Sequence, residues 1–300
     1  MSTTTKFPPT FANQTGSQLI AAFVNSVFYG IAFLVTLQYF RRHSRGDALY
    51  VKLAVSAMIV LATLQTIFVN HEMYRTLIAK HTTPVTRDSP IEWPLAGKFI
   101  CVYLITFIAQ LFFASRIWVL TQNVARWARV SIILIVGLAI TQLVAGSLLV
   151  NMEATAGTIA ELGKHGKLNR TGTAVQGGAT AAADVVITLT LIYLYNMHRS
   201  SSQKVNSIVD RLALYAINRA AATSICAILG VAFFFGLRGT YYFIVPTLMT
   251  GQLYVISAVT VLTSREALRE DVDAAAKEQQ DDGSVTKHEH GGYTNSEKSV

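Results

Sequence analysis

The sequence predicts an all-α membrane protein: a bundle of seven transmembrane helices, with the N-terminus outside and the C-terminal tail inside. Three observations carry this reading. Charged residues make up only 14% of the 300 residues and hydrophobic residues 52%, whereas soluble domains carry about 25% charged residues. The apolar residues gather into seven long runs. The basic residues gather between those runs. Residues 265–300 hold five Lys/Arg and nine Asp/Glu, a net of −4, so the preceding 264 residues hold twenty and eight, a net of +12. Twenty-eight charges are too few to coat a soluble globule of that size, and their placement between apolar runs speaks against a nucleic-acid partner despite a pI near 9.5.

A helix crossing about 30 Å of hydrocarbon needs roughly 20 mostly apolar residues. The runs at 19–40, 51–71, 98–120, 130–151, 175–197, 212–235 and 241–262 meet that need. The first is followed by Arg41, Arg42 and Arg45, which hold its C-terminal end inside. The first four runs are the strongest. The fifth is diluted by Gly177, Gly178 and the small residues from Ala179 to Ala183, and the sixth is interrupted by Asn218 and Arg219. The runs are continuous, as in Ile132 to Val136, where a transmembrane β-barrel would alternate apolar and polar residues. Residues 1–18 read as a polar extracellular tail without the features of a cleavable signal peptide. Residues 263–278 read as a short interfacial helix opened by a capping box, Thr263 to Glu266. Residues 279–300 read as a disordered cytoplasmic tail.

Loop charges set the orientation. The loops 41–50, 121–129 and 198–211 hold eight Lys/Arg in 33 residues, and the loops 72–97, 152–174 and 236–240 hold seven in 54. The denser set belongs inside. Two sequons, at Asn13 and Asn169, fall on the side assigned outside and are candidate glycosylation sites. The plasma membrane or another secretory-pathway membrane follows as the expected location. The two cysteines, Cys101 and Cys226, both fall within runs and read as buried thiols.

Several stretches together carry a resemblance. They are Tyr29-Gly30 with Gln38-Tyr39-Phe40, Gln110 to Phe113 with Arg116-Ile117-Trp118, Ala182 to Val185, Asp210-Arg211-Leu212, Gln252 to Val255, and Leu262 to Glu266 with Leu268-Arg269. In order and spacing, over about residues 18–270, the chain resembles a large family of fungal, mainly basidiomycete, seven-helix membrane proteins. The C-terminal half of that family is the domain of unknown function DUF6534. The resemblance implies a multi-pass membrane location and implies no activity. The chain departs from the pattern at Arg219, where the family usually has Gly, and at Ile256-Ser257-Ala258, where it tends to read Asn-Ser-Leu.

Polar residues inside the runs form stripes: Asn25, Tyr29 and Thr36; Ser56, Thr63, Thr66 and Asn70; Tyr103, Thr106 and Gln110; Thr180, Asp184 and Thr188; Thr247, Thr250, Tyr254 and Ser257. Helical spacing puts each set on one face, and in lipid such faces turn inward. They either bond helix to helix, at about 0.6 kcal/mol per contact, or line a polar cavity. The cavity candidates are Asp184, Thr180, Thr188, Gln110, Tyr254 and Arg219. Asp184 is the only acidic side chain within a run. An ionised carboxylate there costs about 2.5–3.5 kcal/mol, so it is expected to be neutral, paired or facing water. Arg219 is drawn roughly 10 Å away in depth, which makes Thr180 and Thr188 the nearer expected neighbours. Arg116 and Trp118 read as an anchor at the cytoplasmic interface.

No retinal site is expected, since the seventh run holds no lysine for a Schiff base. His71-Glu72 lacks the second His of a zincin motif, and no G-x-S-x-G elbow or P-loop is present. Neither a metal nor a cofactor is expected, and no catalytic motif marks an enzyme. The reading is a receptor-like or sensory seven-helix protein whose partners are the lipid bilayer, a small-molecule ligand and a cytoplasmic signalling partner. A small-molecule or ion transporter is the alternative, and an intramembrane lipid-modifying enzyme comes third, without a motif in its favour. Epitope tags at the two ends, probed in intact and permeabilised cells, test the orientation. The N-terminal tag is expected to be reachable in intact cells and the C-terminal tag only after permeabilisation.

Overall fold

The computed structural model describes residues 11–43, 47–79, 93–121, 126–158, 166–198, 203–236 and 241–263. They form long helices: α1 (Phe11–Gln38), α2 (Leu49–Tyr74), α3 (Trp93–Thr121), α4 (Arg126–Thr155), α5 (Gly166–His198), α6 (Gln203–Gly236) and α7 (Ile244–Thr263). Short π-helical turns, Tyr39–His43 and Arg75–Ala79, extend α1 and α2. Hydrocarbon explains the uniformity, because a backbone there must satisfy its own hydrogen bonds. Pro94 and Pro246 stand in the first turns of α3 and α7, where a missing N–H breaks no helical bond.

Six segments are long and apolar enough to cross a membrane: Thr15–Arg42, Leu49–Ile78, Trp93–Thr121, Arg129–Thr155, Lys167–Leu194 and Ile244–Thr263. The chain is a multi-pass membrane protein. In α6, among the described residues, the apolar stretch is Ile217–Gly230, and it includes Asn218 and Arg219. Phe23, Leu34, Leu53, Val60, Ile133, Leu148, Leu189 and Ile228 are exposed. This is the inside-out pattern of a surface solvated by lipid, with large apolar side chains outward and Asn25, Gln65, Lys98, Gln110, Gln142, Asp184, Arg219 and Gln252 buried.

Consecutive helices pack on one another from α1 to α6, and α3 also meets α5. Helix α7 closes the bundle through polar contacts. The Tyr241 N–H donates to Ser17 Oγ at 3.0 Å, Gln65 Nε2 of α2 to the Leu248 carbonyl at 3.0 Å, and the Tyr254 hydroxyl to Asp184 Oδ2 of α5 at 2.7 Å. The apolar core runs through Tyr39, Met58, Ile105, Phe113, Ile135, Ile187, Leu191 and Val255, and a smaller cluster of Ala21, Ala22, Val69, Met73, Ile244 and Leu248 joins α1, α2 and α7. Close helix approach depends on missing side chains. A Cβ at Gly146 of α4 would lie 2.6 Å from the Tyr103 ring of α3, and one at Gly251 would lie 2.8 Å from Gln65 Oε1.

The helices overrun several drawn boundaries. Helix α1 begins at Phe11, inside the stretch assigned to the N-terminal tail, so Asn13 lies in a helix. Helix α5 begins at Gly166 rather than 175, so Asn169 stands in its first turns and the loop drawn at 152–174 is largely helical. The physical reason is that polar residues continue a helix freely once it leaves the hydrocarbon. The composition marks the apolar slab, while the hydrogen-bond ladder marks the helix. The interfacial helix expected at 263–278 and the tail 279–300 lie outside the described residues apart from Thr263, the last described residue of α7.

Gly146→Ala is expected to lower stability by about 1–3 kcal/mol through overpacking. Gly137→Ala on the same helix, where nothing lies within 4 Å of the added atom, is expected to be neutral or stabilising. Thermal unfolding of the purified protein in detergent compares the two.

A buried ion pair as the candidate functional site

Asp184 stands well inside α5 and Arg219 near the middle of α6. Each is 2% exposed as a whole residue. Arg219 Nη2 lies 3.0 Å from Asp184 Oδ1. The other carboxylate oxygen, Oδ2, accepts from the Tyr254 hydroxyl of α7 at 2.7 Å and from the Thr223 hydroxyl of α6 at 3.1 Å. Helix α3 completes the enclosure, since the Arg219 guanidinium carbon sits 4.2 Å from the centre of the Phe113 ring and 5.3 Å from that of Tyr254. Aromatic faces suit a desolvated guanidinium because the ring quadrupole is negative above its plane.

The two partners are unequally served. Asp184 receives two hydroxyls on one oxygen. The contact between Nη2 and Oδ1 is close, but its angles do not make a hydrogen bond, and Arg219 Nε, Nη1 and Nη2 have no hydrogen-bond acceptor among the described residues. Leaving a buried donor unsatisfied costs about 1–3 kcal/mol, more where the group is charged. The pair is electrically closed and short of acceptors.

The expected site residues separate on inspection. Asp184, Arg219 and Tyr254 come together. Thr188 and Thr180 do not reach the carboxylate, because the Thr188 hydroxyl donates to the Asp184 backbone carbonyl at 2.8 Å and that of Thr180 to the Gln176 carbonyl at 2.9 Å. Threonine in a helix bonds back to the i−4 carbonyl, which answers much of the polar striping. Gln110 is fully buried, and both ends of its amide lack partners among the described residues. Arg116 lies with its guanidinium carbon 5.0 Å from the Phe112 ring centre, and Trp118 is exposed near the end of α3. The separation in depth drawn between Asp184 and Arg219 is overturned by the 3.0 Å contact. Helix α6 begins at Gln203, not 212, so Arg219 is not held close to a helix end.

Two further polar groups are present, of whose members only Asn25 and Thr66 stand in the polar stripes read from the sequence. At the end of the bundle where α1 begins, the Lys98 ammonium pairs with Glu72, and Glu153 of α4 lies in electrostatic reach of both. Burial, and then the Glu72 charge, push the Tyr241 hydroxyl above its ordinary value. Glu72 and Glu153 fall just beyond the apolar runs, so only their helical overrun brings them to Lys98. The second group is neutral. Asn25 Oδ1 accepts from Gln65 Nε2 at 3.1 Å and from Gln252 Nε2 at 3.3 Å, while Asn25 Nδ2 donates to Thr66 Oγ1 at 3.2 Å. Gln65 lies off the stripe of Thr63 and Thr66; it falls at helical spacing with the buried positions Met58, Ala62 and Val69.

Residues 180–267 match a family of unknown function, DUF6534. The matched stretch contains Asp184, Arg219, Thr223 and Tyr254, and leaves Phe113 and Gln110 outside it. Neither the curated proteins nor the solved structures include a match to the chain.

Removing one member of a buried pair strands the other charge, so Arg219→Met and Asp184→Asn are each expected to cost about 3–5 kcal/mol. The double variant Asp184→Asn/Arg219→Met is expected to recover most of that loss. A thermal double-mutant cycle in detergent measures the coupling, and additive losses would show that the pair is not a unit.

Proposed function

We propose that the chain is a seven-pass receptor-like or sensory protein, with its N-terminus outside and its tail inside, in which the Asp184–Arg219 pair is the internal lock of the resting state. The supporting observation is that one buried ion pair spans α5 and α6 and is gripped by Tyr254 of α7 and Phe113 of α3. A two-state element is what a sensor requires, and a buried pair is one, because its members are stable together and costly apart. A signal that favours the parted arrangement shifts α6 and α7 relative to α3 and α5, and carries the change toward the end of the bundle where Arg116 and Trp118 lie.

A transporter is favoured by a separate observation. Glu72, Lys98 and Glu153 place a second charged group near the opposite end of the bundle from Arg116, with two carboxylates around one ammonium. Proteoliposome flux distinguishes this reading, since a receptor carries none.

The lock is testable through Cys226, which is buried two turns beyond Arg219 on the same helix. Tyr254→Phe removes a hydrogen bond to a charged group, about 1.5–3 kcal/mol. Local opening, read as the alkylation rate of Cys226 in a Cys101→Ser background, is therefore expected to rise by about tenfold or more. A rate unchanged by Tyr254→Phe, or one rising only in step with global unfolding, would exclude the lock.

A further inference from the structure

Around Arg219 the supply of hydrogen-bonding partners is lopsided. Nε, Nη1 and Nη2 of the guanidinium are buried and lack acceptors among the described residues. Gln110 adds an amide nitrogen in the same condition and stands one turn before Phe113 on α3, the ring against which the guanidinium lies. Unmatched acceptors are fewer, namely Asp184 Oδ1, whose contact with Arg219 is ionic, and Gln110 Oε1. Charge, by contrast, is balanced, with one carboxylate against one guanidinium. A guest bearing a charge would leave a net charge buried at this depth, which low dielectric opposes. A guest that only donates would compete for Asp184 Oδ2, which already accepts two hydroxyls. What the place lacks is an uncharged oxygen that accepts.

We propose that the parted Asp184–Arg219 pair binds a small, uncharged, apolar molecule bearing an acceptor oxygen, such as a ketone or ester, with that oxygen on Arg219 and Gln110. This rests on the lock reading and names the ligand class for it. Both donors are shut from solvent while the pair is closed, so the ligand binds the opened arrangement and holds it open. Phe113 and Tyr254 supply the apolar walls. An apolar ligand of this class reaches the site from the lipid, into which it partitions.

The test uses the full-length chain in nanodiscs with four probes of one chain length: methyl nonyl ketone, undecane, undecylamine and undecanoate, at matched membrane mole fractions. The ketone is expected to raise the melting temperature and to speed Cys226 alkylation in the Cys101→Ser background, and undecane to do neither. The ketone effect is expected to vanish in Asp184→Asn/Arg219→Met, which keeps a neutral core without the guanidinium, and to weaken in Gln110→Leu. Equal effects of ketone and undecane would overturn the proposal, as would a ketone effect that persists in the double variant. A stronger response to the amine or the carboxylate would overturn the uncharged class. If Tyr254→Phe opens Cys226 while no ketone effect appears, the ligand assignment fails and the lock stands. If Tyr254→Phe leaves Cys226 closed, the lock itself fails.

Discussion

Asp184 and Arg219 stay in the bundle only by holding each other. Either charge alone in hydrocarbon would cost several kcal/mol, and the 3.0 Å contact ties the placement of α5 to that of α6. The remaining lone pairs of the carboxylate bring α7 to the same point through Tyr254, and the flat guanidinium brings α3 through Phe113. Four helices thus meet at one electrostatic constraint. The bundle has little hydrophobic drive to assemble, since lipid is as apolar as leucine, and such a node does part of the work that burial does in water.

Elsewhere the bundle is assembled by shape and by neutral hydrogen bonds. Glycines at 146 and 251 admit Tyr103 and Gln65 to distances that a methyl group would block. Asn25 draws Gln65, Thr66 and Gln252 together at the junction of α1, α2 and α7. These contacts differ from the ion pair in consequence. A neutral amide bond that breaks can find another partner on its own helix, whereas a charge that loses its counter-charge cannot. The bundle therefore combines many forgiving contacts with a few unforgiving ones, the ion pairs, and of the two pairs described here Asp184–Arg219 is the more deeply buried.

The Lys98 group obeys the same rule near a helix end. Lys98 is buried, unlike a snorkelling lysine, because Glu72 from α2 meets it and Glu153 from α4 stands near. Neighbouring helices cover Lys98 although it stands only in the second turn of α3.

The sequence by itself determined the solvent and the secondary structure. Long apolar runs with charges between them have one stable home, a bilayer, and one stable backbone there, the helix. It also determined that Asp184 needed company, because a short carboxylate inside an apolar run cannot reach water. It did not determine which company. Thr180 and Thr188 are nearer in the chain, yet their hydroxyls turn to the carbonyls of Gln176 and Asp184 on their own helix. Arg219 is 35 residues from Asp184 along the chain and became the partner only when α5 and α6 packed in register. Glu72 and Glu153 were invisible as site residues for the same reason. Pairing between helices depends on depth and rotation, and those are set by close packing across all the helices at once rather than by the pattern along any one of them.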